Sequence, residues 1–243
     1  MILIPRAEKG ESIDALETMY PSRLVVARNL HTQTVSTTTS YGFVVEGEVT
    51  LRVDLNAYEL SRGNFFCVPG AFTLENYSPN GRVVIIERLG YRGMLSIGRI
   101  ERKGRLSYID GCSDTLLVAP PRQGDPCFNF LHFPPGIDQT QHTHPSIRFG
   151  VVAEGRGVAY QATGAASVGW EKELNEGDVF LLEEQELHSF RTTRLPGDAG
   201  PTHMNIIAFH PDTDWGATDQ NHPMLNRTYI GTTPTPAGQY TAT

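Results

Sequence analysis

The sequence predicts an all-β chain built as two tandem barrels with only minor helix. An internal repeat, a series of short β-branched and aromatic runs, and a high content of turn residues predict it. The repeat is read first because it fixes the architecture. Tyr41-Gly42-Phe43-Val44-Val45-Glu46-Gly47 returns as Phe149-Gly150-Val151-Val152-Ala153-Glu154-Gly155, an offset of 108. Tyr58 to Phe66 returns as Lys172 to Phe180 at an offset of 114, so the second copy carries six more residues between the echoes. Two echoes in register imply two homologous units, residues 1–105 and 106–243, joined between Gly98 and Gly111.

Each copy reads as short strands. Phe43 to Val45, Val49 to Val53 and Phe65 to Val68 are branched or aromatic runs bounded by Gly, Pro, Asn or Asp. In the second copy the runs are Cys127 to Phe133, Arg148 to Val152, Val158 to Gln161, Val179 to Leu182 and Met204 to Phe209. Ser12 to Met19 reads as the one helix, with Ser12 as N-cap and Pro21 beyond its end. Closely spaced strands with turns between them suggest an antiparallel barrel or sandwich. The Thr/Pro/Gly-rich stretch Gly231 to Thr243 is expected to lie extended or disordered.

Composition narrows the function classes. The 243 residues are 39% hydrophobic and 19% charged, enough apolar material for a packed core. Twenty-seven acids against 20 bases give a net charge of −7, which argues against nucleic acid or an anionic membrane as the main partner. Cys67, Cys112 and Cys127 form no CxxC pair and cannot complete a disulfide set, which fits a reducing cytoplasmic compartment. Neither a phosphate-cradling glycine loop nor a GxSxG elbow is present, which lowers the odds of nucleotide-dependent or covalent chemistry.

The chemistry-bearing residues cluster in the second copy. His142 and His144 stand two apart, so on a strand both point to one face. His188 follows the Val179 to Leu182 run and can reach the same point from a neighbouring hairpin. Three neutral imidazoles on one side of a cation leave positions open for substrate or oxygen. The alternative for such histidines is polar surface or a satisfied core. Arg148 shares their parity; it is read either as an anchor for an anionic substrate or as the partner of Glu183 or another inward acid. Gln139 and Gln141 have the opposite parity and are expected to face away, while Thr140 is expected to pack or bond backbone. His132 and His203 rank low as further pocket residues, and His210, Asp212, Asp214 and His222 are read as loop-capping groups. Asn76-Tyr-Ser78 and Asn226-Arg-Thr228 match a glycosylation pattern that has no meaning without secretion.

These positions resemble the cupin superfamily, whose first motif places HxH five residues after a Gly and then a Glu and a second Gly. Here Gly136, His142, His144 and Gly155 match, with Arg148 at the Glu position. In the second motif Gly177 and His188 match, while Glu183, Gln185 and Thr192 replace Pro, Gly and Asn. Over roughly residues 24–210 the chain is similar to a bicupin whose metal motif survives only in its C-terminal half. The two repeat offsets carry the ligand positions to Thr34, Ser36, Ser40 and Leu74, so no metal is expected in the first barrel.

The resemblance implies double-stranded jelly-roll barrels and a three-histidine site (His142, His144, His188) for one divalent ion; exposed sheet edges and the spare surface of the metal-free first copy lead to the expectation of a homodimer. Fe(II) is the expected metal, with Mn, Ni and Zn as alternatives. Cupins with such sites include dioxygenases of hydroxylated aromatic acids, thiols and diketones. The leading expectation is therefore an oxygenase acting on a small organic acid, with Arg148 and Glu183 as catalytic groups. The alternatives are a non-redox isomerase or decarboxylase of a keto acid or sugar derivative, in which Glu183 or Glu184 could move protons, and a ligand-binding cupin without catalysis.

Overall fold

The computed structural model describes residues 1–76, 78–164, 167–193 and 202–218. The Asn76-Tyr-Ser78 match is interrupted there, and the expectations on His222, Asn226-Arg-Thr228 and Gly231 to Thr243 fall outside the described residues. Among those residues no helix is long and apolar enough to cross a membrane, and Cys67, Cys112 and Cys127 are buried free thiols.

The chain opens with β1 (Ile2–Ile4), β2 (Ser12–Ala15), β3 (Ser22–Val26), β4 (Leu30–Gln33) and β5 (Thr39–Glu46). It continues through β6 (Glu48–Val53), β7 (Asn56–Ser61), β8 (Asn64–Pro69), β9 (Phe72–Asn76), β10 (Arg82–Arg88) and β11 (Ser96–Arg99). The second half holds β12 (Leu106–Ser107), β13 (Ser113–Val118), β14 (Cys127–Phe133), β15 (Arg148–Gly164) and β16 (Ser167–Asn175). It closes with β17 (Val179–Leu182), β18 (Ser189–Arg191) and β19 (Met204–His210). The helical content among the described residues is a single 3-10 turn, Ile109–Gly111.

In the first barrel a six-stranded sheet, β11-β8-β5-β10-β3-β2, encloses an apolar core with a four-stranded sheet, β4-β9-β6-β7. In the second, β1-β17-β15-β19-β14-β13-β12 form one continuous sheet. The long β15 bends out of it to pair with β16 and β18. β1 crosses over from the start of the chain to pair with β17.

Strand alternation separates two environments. On β5, Tyr41, Phe43 and Val45 face the core between the barrels, while Val44 faces the interior of its own barrel. The repeat places Phe149, Val151 and Ala153 of β15 in the shared core and Val152 inside the second barrel. Tyr41 packs its ring 4.9 Å from Phe209 and 5.8 Å from Phe128 across this seam. At the same point in each repeat a glycine admits a phenylalanine ring. A Cβ on Gly42 would lie 2.0 Å from Phe66, and one on Gly150 would lie 2.1 Å from Phe180.

One element differs from its sequence reading. Ser12 to Met19 is not a helix: Ser12–Ala15 is a strand paired with β3, and Ile13 and Ala15 are buried two apart in the shared core. Edge pairing and a period-2 apolar pattern override a local helical signal there.

Candidate metal centre

Segment 136–147 runs over the open end of the second barrel as irregular chain pinned to the hairpin opposite. His142 and His188 exchange backbone bonds of 3.0 Å in both directions, which sets their side chains beside each other. Their ring centroids lie 4.5 Å apart, and the His144 ring lies 5.1 Å from each. One ring nitrogen from each residue falls within 4.8 Å of the others, and this is a group suited to a divalent cation among the described residues. Bonds of about 2.1 Å require nitrogens ~3.4 Å apart in a tetrahedral arrangement, within reach of small ring rotations.

The hydrogen bonds behind the rings favour metal ligation. His188 Nδ1 lies 2.8 Å from the Glu186 carbonyl, and His142 Nδ1 lies 2.9 Å from the Thr140 carbonyl. A carbonyl only accepts, so Nδ1 carries a proton in each ring, which leaves Nε2 as the nitrogen available to a metal. His188 Nε2 is buried with no hydrogen-bond partner, a position that a cation would satisfy. Burial, with Arg148 next in weight, pulls the His144 pKa down to about 3, and burial takes His188 down to about 4. Both rings are therefore neutral near pH 7, the form that donates to a metal.

Below the histidines is a cavity of about 50 Å3, large enough for a few water molecules or a compact ligand. Phe133, Phe180, Phe190 and Ile206 form its apolar wall. Arg148 faces into it from the first position of β15 and is 7% exposed. Its Nη1 donates to the Ser146 carbonyl (3.1 Å), the Ser146 hydroxyl (2.5 Å) and the Ile147 carbonyl (2.8 Å). The inward acid that partners it is Asp212, at 3.6 Å, which also accepts from the Ser146 hydroxyl. Arg148 Nε remains buried without a partner.

Other sequence expectations meet different placements. Glu183 is exposed beyond β17, where its N–H donates to the Glu186 carboxylate at 2.9 Å, and neither it nor Glu184 lines the cavity. Thr140 is exposed and its N–H bonds Asp110 at 2.6 Å. Gln141 accepts from the Ala162 N–H at 2.8 Å, away from the cavity, as its parity suggests. Gln139 does not follow parity: it is 3% exposed and lines the cavity. His132 bonds Asn205 at 2.7 Å, His203 lies 3.7 Å from Glu154, and both stand outside the cavity.

Sequence reasoning missed two cavity residues. His210 ends β19, lines the cavity with its ring 6.0 Å from His144, and is held neutral by burial, which lowers its pKa well below the usual value. Asp114 on β13 also lines it. The Cys127 thiol donates to Asn129 Oδ1 (2.6 Å), Asn129 Nδ2 donates to Asp114 Oδ2 (2.8 Å), and Asp114 Oδ1 is buried without a partner. Burial raises the Asp114 pKa. Inward parity on the Met204 to Phe209 run extends to His210 and was the available signal; Asp114 lay in a run not read as a strand.

The first barrel shows what became of the same positions. His31 pairs with Leu74 as His142 pairs with His188, so His31, not Thr34, stands at the His142 position. Ser40 occupies the Arg148 position, across from Val68 as Arg148 is across from Leu182. The buried Glu87 lies across from Ser40. It accepts from Arg23 (2.5 Å) and Gln33 (3.1 Å) and lies 3.7 Å from His31.

No protein-family model matches the sequence, and a search of curated proteins finds no match. Solved structures do match, a cupin barrel among them, and the likeness shows a cupin-type jelly-roll fold. A cupin 2 conserved barrel domain protein from Leptotrichia buccalis aligns with a TM-score of 0.59 at 15% identity, covering 85% of this chain and 91% of that one. A salicylate 1,2-dioxygenase from Pseudaminobacter salicylatoxidans gives 0.56 at 12% identity, with 79% and 70% covered. Bacillus subtilis oxalate decarboxylase, described with Mn(II) centres, gives 0.54 at 11% identity, with 88% and 76% covered.

Proposed function

We propose that this protein is a metal-dependent oxygenase that uses Fe(II) and acts on a small organic acid. The observation that carries the reading is the group of three imidazoles, with no carboxylate among them, beside a cavity that Arg148 also lines. His142, His144 and His188 would hold the ion, which supplies Lewis acidity and, as iron, access to oxygen chemistry. Neutral ligands leave the full charge of the cation to attract an anionic substrate. Arg148 would bind and orient the carboxylate through its free Nε–H. Phe133, Phe180 and Phe190 would hold the carbon skeleton and exclude water. The likeness to a salicylate 1,2-dioxygenase supports an acid substrate within this fold. A homodimer is the proposed assembly.

A second reading is non-redox catalysis, a decarboxylation or isomerisation of a keto acid. The observation that favours it is Asp114, a residue of the cavity lining whose Oδ1 is buried without a partner and could give or take a proton. It takes the place of Glu183, which lies outside. The likeness to oxalate decarboxylase lends it support.

Metal analysis followed by oxygen uptake tests the choice. The iron-loaded protein, kept reduced, should consume oxygen with at least one member of a panel of catechols, hydroxybenzoates, thiols and diketones. Tight retention of manganese, nickel or zinc, with no oxygen uptake on any member after iron loading, would overturn the oxygenase in favour of the second reading.

A further inference from the structure

Gln139 is the least expected residue in the cavity. Its backbone is clamped on both sides: its N–H donates to the Phe190 carbonyl at 3.0 Å, and its carbonyl accepts from the Ser189 hydroxyl. The side chain is thereby committed to the interior, and both its Nε2 and its Oε1 are buried without a partner. A primary amide stripped of water and given nothing in return is costly, and native folds seldom leave one so. Other residues lining the cavity carry three further unpartnered polar atoms, Arg148 Nε, His188 Nε2 and Asp114 Oδ1. Four orphaned groups, on Asp114, Gln139, Arg148 and His188, line one small cavity and describe the complement of a ligand.

Their chemistry specifies that ligand. The guanidinium N–H offers a charged donor, which a carboxylate accepts. The imidazole nitrogen offers a lone pair, which a cation accepts, and the Asp114 oxygen offers an acceptor for a polar hydrogen of the ligand. The amide offers one donor and one acceptor side by side, and a hydroxyl group answers both because it donates and accepts through one oxygen.

We propose that Gln139 recognises a hydroxyl group on the substrate, so that the cavity takes hydroxy acids in preference to the same acids without the hydroxyl. The proposal rests on the metal-dependent reading of the site and adds the substrate class. A deoxy acid would leave the Gln139 amide unpaired beneath it, and a site built to bond a hydroxyl rejects such a ligand strongly. The apolar wall serves the carbon skeleton of both acids alike and does not discriminate.

The test is calorimetric binding to Fe(II)-loaded protein under anaerobic conditions, with the pairs lactate and propionate, and salicylate and benzoate. At least one hydroxy acid should bind the wild-type protein about tenfold or more tighter than its partner. In Gln139→Leu, with metal content unchanged, that ratio should fall toward one. The same substitution removes a buried amide with no partner, so it should raise the melting temperature of the ligand-free protein; Gln139→Met repeats the test if Leu disturbs packing. A wild-type ratio near one for both pairs, no binding of any of the four acids, or a ratio that survives Gln139→Leu would overturn the assignment. Loaded protein that binds acids without discrimination sinks the role of Gln139 alone, whereas protein that takes up no metal sinks the oxygenase reading with it.

Discussion

Replacing Arg148 with Met keeps most of the buried stem of this side chain and removes its charge and donors. At 3.6 Å the attraction between Arg148 and Asp212 is gross ~4–5 kcal/mol at an effective dielectric of about 20. Desolvation offsets much of it, and Asp212, with 18% of its side chain exposed, can rehydrate once its partner is gone. Three hydrogen bonds to Ser146 and Ile147 are lost as well. The net loss should be about 2–3 kcal/mol, lowering the melting temperature by roughly 5–10 °C. The effect on ligand binding is separable. A charge-assisted bond to a carboxylate is worth about 1.5–3 kcal/mol, so binding of an organic acid to the metal-loaded variant should weaken about tenfold to hundredfold. Calorimetry at matched metal content measures this, with Arg148→Lys, which keeps the charge without the planar fork, expected between the two. If Arg148→Met lowers stability but leaves acid affinity unchanged, Arg148 is a structural partner of Asp212 and does not anchor substrate.

The repeated glycine–phenylalanine contact predicts matched effects in the two barrels. Gly42→Ala and Gly150→Ala each force a methyl into a phenylalanine ring and should cost roughly 1–3 kcal/mol of stability by thermal melting. Phe180 lines the cavity and Phe66 does not, so only Gly150→Ala should also weaken ligand binding; equal binding losses would contradict this division. Asp114 gives a pH signature. Burial raises its pKa, so the folded chain holds this proton more tightly than the unfolded chain does, and the ionised group costs stability above the raised value. Asp114→Asn should therefore raise the melting temperature at pH 7, and the gain should shrink as the pH is lowered toward about 4; a gain independent of pH would refute it.

Much of this architecture is legible in the sequence because a repeat of aromatic and β-branched runs constrains both barrels at once. The strand parity that turns Arg148 inward with Val152 sends Phe149, Val151 and Ala153 to the opposite face in the shared core, as β5 does with Tyr41, Phe43 and Val45. Parity failed at Gln139 because residues 136–147 are joined to their neighbour by isolated bridges and not by a continuous strand, so successive side chains need not alternate. Offset arithmetic fails at Thr34 because six residues lie between Gln33 and Ser40 where three lie between His144 and Arg148, an insertion that shifts His31 into the position of His142. His210 was hidden by its following Pro and acids, which look like loop chemistry until the pairing of β19 with β14 carries the strand through to it. Asp114 required tertiary contact with Asn129 to be found at all.

Equilibrium titration of the metal-free protein with Fe(II), comparing the wild-type chain with His188→Ala, measures the convergence of the three imidazoles most directly. One ion per chain should bind the wild-type protein. Removing the Nε2 that now lies buried and unpartnered should weaken that binding about a hundredfold while the far-ultraviolet circular dichroism stays that of a β protein. No stoichiometric binding, or equal affinity in the two chains, would contradict a metal held by His142, His144 and His188.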